Sequence, residues 1–77
     1  MRIRTPREIG LLVRDRRRNI QLTQAELAER VGASREWVRH LEAGKPGLEI
    51  GLTLRALGAL GLAIDVTETA KEVAKES

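Results

Sequence analysis

Ten of the first 48 residues are arginines. A guanidinium is a planar fork that meets two acceptors at once, on a phosphate or on the O6 and N7 edge of a guanine. Residues 1–48 hold 11 Lys/Arg against 6 Asp/Glu, whereas residues 49–77 hold 3 against 5. A front half of +5 and a rear of −2 fit a polyanion on one side of the molecule, with a solvated basic surface as the plainer alternative. Catalysis has little to work with: 77 residues contain one His, no Cys, no Tyr and no Phe. The lone His40 lacks the second ligand cluster that a metal site needs. Without cysteine there are no disulfides and no thiolate zinc. No apolar run approaches the ~20 residues that cross a bilayer. The opening Met1-Arg2-Ile3-Arg4-Thr5-Pro6 leads into no signal-peptide stretch. The expectation is a cytoplasmic, nucleoid-associated binding protein, neither enzyme nor membrane protein, with no cofactor.

These side chains need a scaffold, and a chain this short buries only about 60% of its unfolded surface. It is marginal alone, so a partner subunit is expected. Thr5-Pro6-Arg7-Glu8 opens a first helix with a capping box and a proline at its first position. Ile9, Leu12, Val13 and Ile20 recur at helical spacing to about Asn19, with Arg7, Arg14 and Arg18 opposite. Thr23-Gln24-Ala25-Glu26 repeats the box before a second helix that turns Leu27, Ala28 and Val31 inward and stops at Gly32. Ser34 caps a third helix through Ala43, with Val38 and Leu41 inward and Gly44 ending it. From about Glu49 to Leu60 a fourth helix is expected, its core face being Ile50, Leu54, Leu57 and Leu60, with Gly61 closing it. The period then changes to two, which places Leu62, Ile64 and Val66 on one face of a short strand. Such a strand has no partner elsewhere in the chain and cannot stand alone. Residues 67–77 read as a flexible polar tail.

The stretch LTQAELAERVGASREWVRHLEAGK, residues 22–45, has the physics of a helix-turn-helix. Ala28 is small where two helices cross closely, and Gly32 makes the turn. Leu27, Val31, Val38 and Leu41 hold the pair at a fixed angle, so the third helix can project into a major groove. A plain helical hairpin is the competing reading. On these residues the sequence resembles the Cro-type phage-repressor superfamily, the XRE family, over roughly residues 7–60. Residues 44–66, GKPGLEIGLTLRALGALGLAIDV, are similar to its HipB-like antitoxin branch, in which a strand after the last helix pairs with its twin.

The resemblance implies an all-α, phage-repressor-like domain of four to five helices over residues 1–66, with a C-terminal β-strand at 62–66 pairing across a homodimer through Leu62, Ile64 and Val66. It implies a sequence-specific repressor of an inverted-repeat operator in double-stranded DNA, whose other partner is a HipA-like serine/threonine kinase toxin. Ser34, Arg35, Glu36, Arg39 and His40 then face base edges, Arg35 as the guanine reader. Glu36 either accepts from a cytosine N4 or pairs with Arg39 or His40. Thr23, Gln24 and Lys45 fall at backbone phosphates, Gln24 beside a helix N-terminus where the dipole favours an anion. Trp37 packs on a sugar-phosphate strand or against the protein itself. Arg14, Arg18, Arg2 and Arg4 are generic phosphate candidates. Arg17 and Glu42 match a family pair that joins the first helix to the end of the third. A phage-type repressor, a restriction-modification controller and a pure protein-interaction module remain as alternatives.

Overall fold

Helix ends in this chain are set by local hydrogen bonds that the sequence writes out. The computed structural model describes residues 3–68; Arg2 and the tail beyond Glu68 lie outside them. Four helices are present among the described residues: α1 (Pro6–Asn19), α2 (Gln24–Val31), α3 (Arg35–Glu42) and α4 (Ile50–Ala59). Thr5 and Thr23 each close a full capping box, with Glu8 and Glu26 respectively. The Ser34 hydroxyl accepts the Trp37 N–H at 3.0 Å. Each satisfies an orphan donor of a helix first turn, an interaction worth about 1 kcal/mol.

All four helices end alike. Near each end one backbone N–H reaches back five residues across the last turn: Leu22 to the Arg17 carbonyl, Ala33 to Ala28, Lys45 to His40 and Leu62 to Leu57, at 2.8–3.0 Å. This closure needs one residue in left-handed backbone conformation. Gly32, Gly44 and Gly61 fill that position at φ of 73–78°. After α1 it falls to Gln21, at φ 58°.

The core consists of Val13 from α1, Leu27, Ala28 and Val31 from α2, Val38 and Leu41 from α3, and Ala56, Leu57 and Leu60 around α4. The inward residues expected for α2 and α3 are all buried there. On α4 the expectation is corrected. Ile50 is 73% exposed and Leu54 50%, while the buried face is Thr53, Ala56, Leu57 and Leu60. Leu57 and Leu60 are buried as expected, while Thr53 and Ala56 take the places of Ile50 and Leu54 and complete an i, i+3, i+4, i+7 face. The segment IGLTLRALGA carries so few polar residues that periodicity alone cannot choose between the two faces.

α3 packs on both α1 and α2, and α4 packs on α2. The approach of α1 to α3 is close enough to require Gly10, where an added Cβ would meet the carbonyl oxygens of Leu41 and Glu42. Residues 62–68 form no regular element in the single chain, so the strand expected at 62–66 is not found within it. Leu62 instead packs partly buried against the chain's own core, while Ile64 and Val66 are exposed. A five-residue strand without a neighbouring strand has nothing to satisfy its backbone.

Candidate nucleic-acid interface

The α2–turn–α3 unit is anchored by one carboxylate. Glu42, at the end of α3, accepts from Arg17 Nε at 2.6 Å and from Arg17 Nη2 at 2.9 Å. Gln24 Nε2, at the start of α2, donates to the same carboxylate at 3.1 Å. Arg17 Nη1 also donates to the Leu22 carbonyl at 2.8 Å. One acidic group thus ties α1, α2, α3 and the turn between the first two. Arg17 is 8% exposed, and the Glu42 side chain is as deeply buried. Burial alone would push the Glu42 carboxyl up; the hydrogen bonds from Arg17 and Gln24 and the Arg17 charge outweigh it and hold the group below the ordinary carboxylate range. The bond to Glu42 raises the Arg17 guanidinium in turn.

Above this network lies an open cleft of about 340 Å³. Arg14 and Arg18 come one turn apart from α1, Gln24 from the start of α2, and Arg39, His40 and Ala43 from α3. Arg17 and Glu42 complete the lining. Five of the residues proposed from sequence for nucleic acid, Arg14, Arg18, Gln24, Arg39 and His40, therefore meet in one concavity. That convergence of α1 and α3 was not read from the sequence, although the i, i+4 spacing of Arg14 and Arg18 marks a shared face.

Arg35, Lys45, Ser34, Thr23, Trp37 and Glu36 are not among the residues that line the cleft. Arg35 is exposed at the first position of α3. Lys45 is exposed just beyond Gly44. Ser34 and Thr23 commit their hydroxyl oxygens to capping. Trp37 is half-buried and packs against the core. Gln24, expected at a phosphate, has its amide turned to Glu42. Glu36 sits between two neighbours on its own helix: Arg39 Nη1 at 2.6 Å from Oε1 and His40 Nε2 at 3.2 Å from Oε2. Glu36, Arg39 and His40 share the face opposite buried Val38 and Leu41. The arrangement offers guanidinium and imidazole donors on an exposed helix face beside a cationic cleft. No group of three or more His, Cys, Asp or Glu among the described residues is placed to hold a metal. No helix there is long and apolar enough to cross a membrane.

Comparison with known proteins agrees with this geometry. Residues 8–71 match the model of the family described as "Helix-turn-helix domain". The chain is 46% identical over 65 residues to the uncharacterized HTH-type transcriptional regulator y4mF of Sinorhizobium fredii, covering 84% of this chain and 86% of that protein. It is 44% identical over 50 residues to an HTH-type transcriptional regulator of Methanothermobacter thermautotrophicus, covering 65% and 72%. In three dimensions it is similar to a chain of the HipA-HipB-O2-O3 complex, with a TM-score of 0.81, 20% identity and coverage of 90% and 97%. A second similar structure, named MDT Protein, gives 0.80 at 19% identity, covering 88% and 96%. At such identities the structural likeness speaks for the fold alone.

Proposed function

Because the chain belongs to the helix-turn-helix family of transcriptional regulators, we propose that it represses transcription by binding an operator as a homodimer, in the cytoplasm, as the antitoxin of a HipA-like kinase. The observation that carries the DNA-reading part is the exposed α3 face of Ser34, Arg35, Arg39 and His40 bordering the Arg14–Arg18 cleft, on a unit fixed by the Arg17–Glu42 bridge. An α-helix fits the major groove, where each base pair shows a distinct pattern of donors and acceptors. Arg35, at the helix start, takes the O6 and N7 of a guanine. Arg14, Arg18, Thr23, Lys45 and the exposed edge of Trp37 lie toward backbone phosphates, which position the protein without reading sequence. With its amide held by Glu42, Gln24 offers a phosphate the N-terminus of α2.

The toxin partnership rests on the fold shared with a chain of the HipA-HipB-O2-O3 complex and on the apolar Leu62-Ala63-Ile64-Asp65-Val66 segment. In a dimer that segment pairs with its twin and covers Ile64 and Val66.

Binding to duplexes selected from a random pool, measured beside unselected duplexes across a salt series, tests the DNA reading. A sequence-specific protein keeps a preference at every salt, while each phosphate neutralised contributes about −0.9 to the slope of log K against log salt. Equal affinity for all duplexes would leave a protein-interaction module. Whether a neighbouring gene encodes a HipA-like kinase, and whether that kinase co-purifies with this chain, tests the antitoxin role.

A further inference from the structure

We propose that Glu36 is a positioning residue for base reading: its carboxylate holds Arg39 in place on α3 and lies against His40 Nε2 on the same face. The inference rests on α3 being the DNA-reading helix and goes beyond it in assigning how two of its side chains are aimed. Glu36 lies three residues before Arg39 and four before His40, so all three project from one side of the helix. Its two oxygens are divided between them, Oε1 to Arg39 Nη1 and Oε2 to His40 Nε2. Among the described residues, no other side chain hydrogen-bonds or ion-pairs with Arg39 or His40. The groups that face them across the cleft are Arg14 and Arg18 of α1, with the paired Arg17 and Glu42 beside Gln24. Arg14 and Arg18 line the same cleft as Arg39 with like charge, which a counter-charge on α3 offsets.

Glu36 supplies that counter-charge from the first turn of the helix, where the dipole also favours a carboxylate. It engages one nitrogen of the Arg39 guanidinium and leaves Nε and Nη2 for a base edge. A bare carboxylate would meet the phosphates unfavourably; held by Arg39, it enters the groove neutralised.

The experiment compares the wild type with Glu36→Gln and Glu36→Asp. Each full-length protein is titrated with the duplex that the wild type enriches from a random 20-base-pair pool, and with the unselected pool. The expected result is a roughly tenfold smaller selected-to-pool ratio for both variants, the worth of one well-placed base contact. Pool affinity should rise only for Glu36→Gln, which removes a negative charge; Glu36→Asp keeps the charge but shortens the reach. Melting temperatures should shift by no more than a few degrees, since exposed ion pairs and helix-dipole charges contribute little. An Asp variant that discriminates like the wild type reduces Glu36 to a surface charge and overturns the proposal. So does loss of preference at a single C·G pair alone, which would make Glu36 itself the base reader. If the wild type enriches no sequence, DNA reading by α3 fails first and the Glu36 role falls with it.

Discussion

Arg35 and Glu42 stand for the two uses this chain makes of charged side chains. Arg35 is exposed and unanchored, and a base-reading role predicts that Arg35→Ala loses about 1–3 kcal/mol at one base pair and flattens preference there. Lys45→Ala should instead weaken all sequences together, because phosphates are alike at every step. Competition binding on single-base operator variants separates these outcomes, and equal losses on cognate and random DNA would make Arg35 a phosphate contact. Glu42 belongs to the fold. Removing one partner of a buried pair strands the other, at about 3–5 kcal/mol, far above the ~0–1 kcal/mol of a surface pair. A double-mutant cycle of Arg17→Met and Glu42→Gln in urea, without DNA, should show coupling of about 1–3 kcal/mol. Coupling of a few tenths would place both side chains on the surface. The same bond predicts acid sensitivity. Because the folded-state pKa of Glu42 lies below its unfolded value, its contribution is whole above the ordinary carboxylate range. It is lost as pH falls through the depressed value. Glu42→Gln should therefore flatten the acid limb of a stability-against-pH curve while leaving a lower plateau at neutral pH.

The elements are held by their ends, and one end carries strain. Gln21 adopts the left-handed conformation that Gly32, Gly44 and Gly61 adopt after the other three helices. A non-glycine residue there costs about 1–2 kcal/mol, of which glycine's greater unfolded-state freedom takes back up to ~1 kcal/mol. Gln21→Gly should thus stabilise by about 0.5 kcal/mol, a rise of roughly 2–4 °C in melting temperature. A fall would mean that the Gln21 side chain makes a compensating contact. Gly10 predicts the opposite sign. Alanine there drives a methyl group into the backbone of α3, which cannot move without displacing the Arg17–Glu42 bridge. Gly10→Ala should cost about 1–3 kcal/mol, read by urea denaturation. Glu42 lies in that displaced segment and Lys45 three residues beyond it, so DNA affinity should fall with stability.

At the scale of the molecule, Ile50, Leu54, Ile64 and Val66 leave apolar side chains in water that one copy does not cover. The proposed homodimer covers Ile64 and Val66 by pairing residues 62–66 across a twofold axis, which also gives backbone partners to a segment that forms no regular element in the single chain. Ile64→Asp should shift sedimentation from dimer to monomer or unfolded chain. A well-folded wild-type monomer at micromolar concentration would contradict the pairing. A twofold dimer further requires an inverted-repeat operator, with half-site centres about 34 Å apart or a multiple of that, visible as paired protections on one face of the duplex.

The sequence by itself determined the four helices, the caps of the first three, the three glycine closures and the core faces of α2 and α3. Each depends on residues within four or five positions of one another, and Thr5–Glu8 or Thr23–Glu26 spell out such contacts in order. It also located the helix-turn-helix unit, because Ala28, Gly32, Val38 and Leu41 act within one short stretch. Tertiary structure decided what lies far apart along the chain. Arg16, counted with the basic front half, donates to the Leu60 carbonyl at 2.9 Å, and Arg55 to the Val31 carbonyl at 3.1 Å, so each closes the end of another helix. Gln24 turned to Glu42, Arg14 and Arg18 met Arg39 and His40 across one cleft, and α4 buried Thr53 and Ala56 in place of Ile50 and Leu54. These outcomes depend on how closely the helices cross, which Gly10 permits and which no local period along the chain encodes.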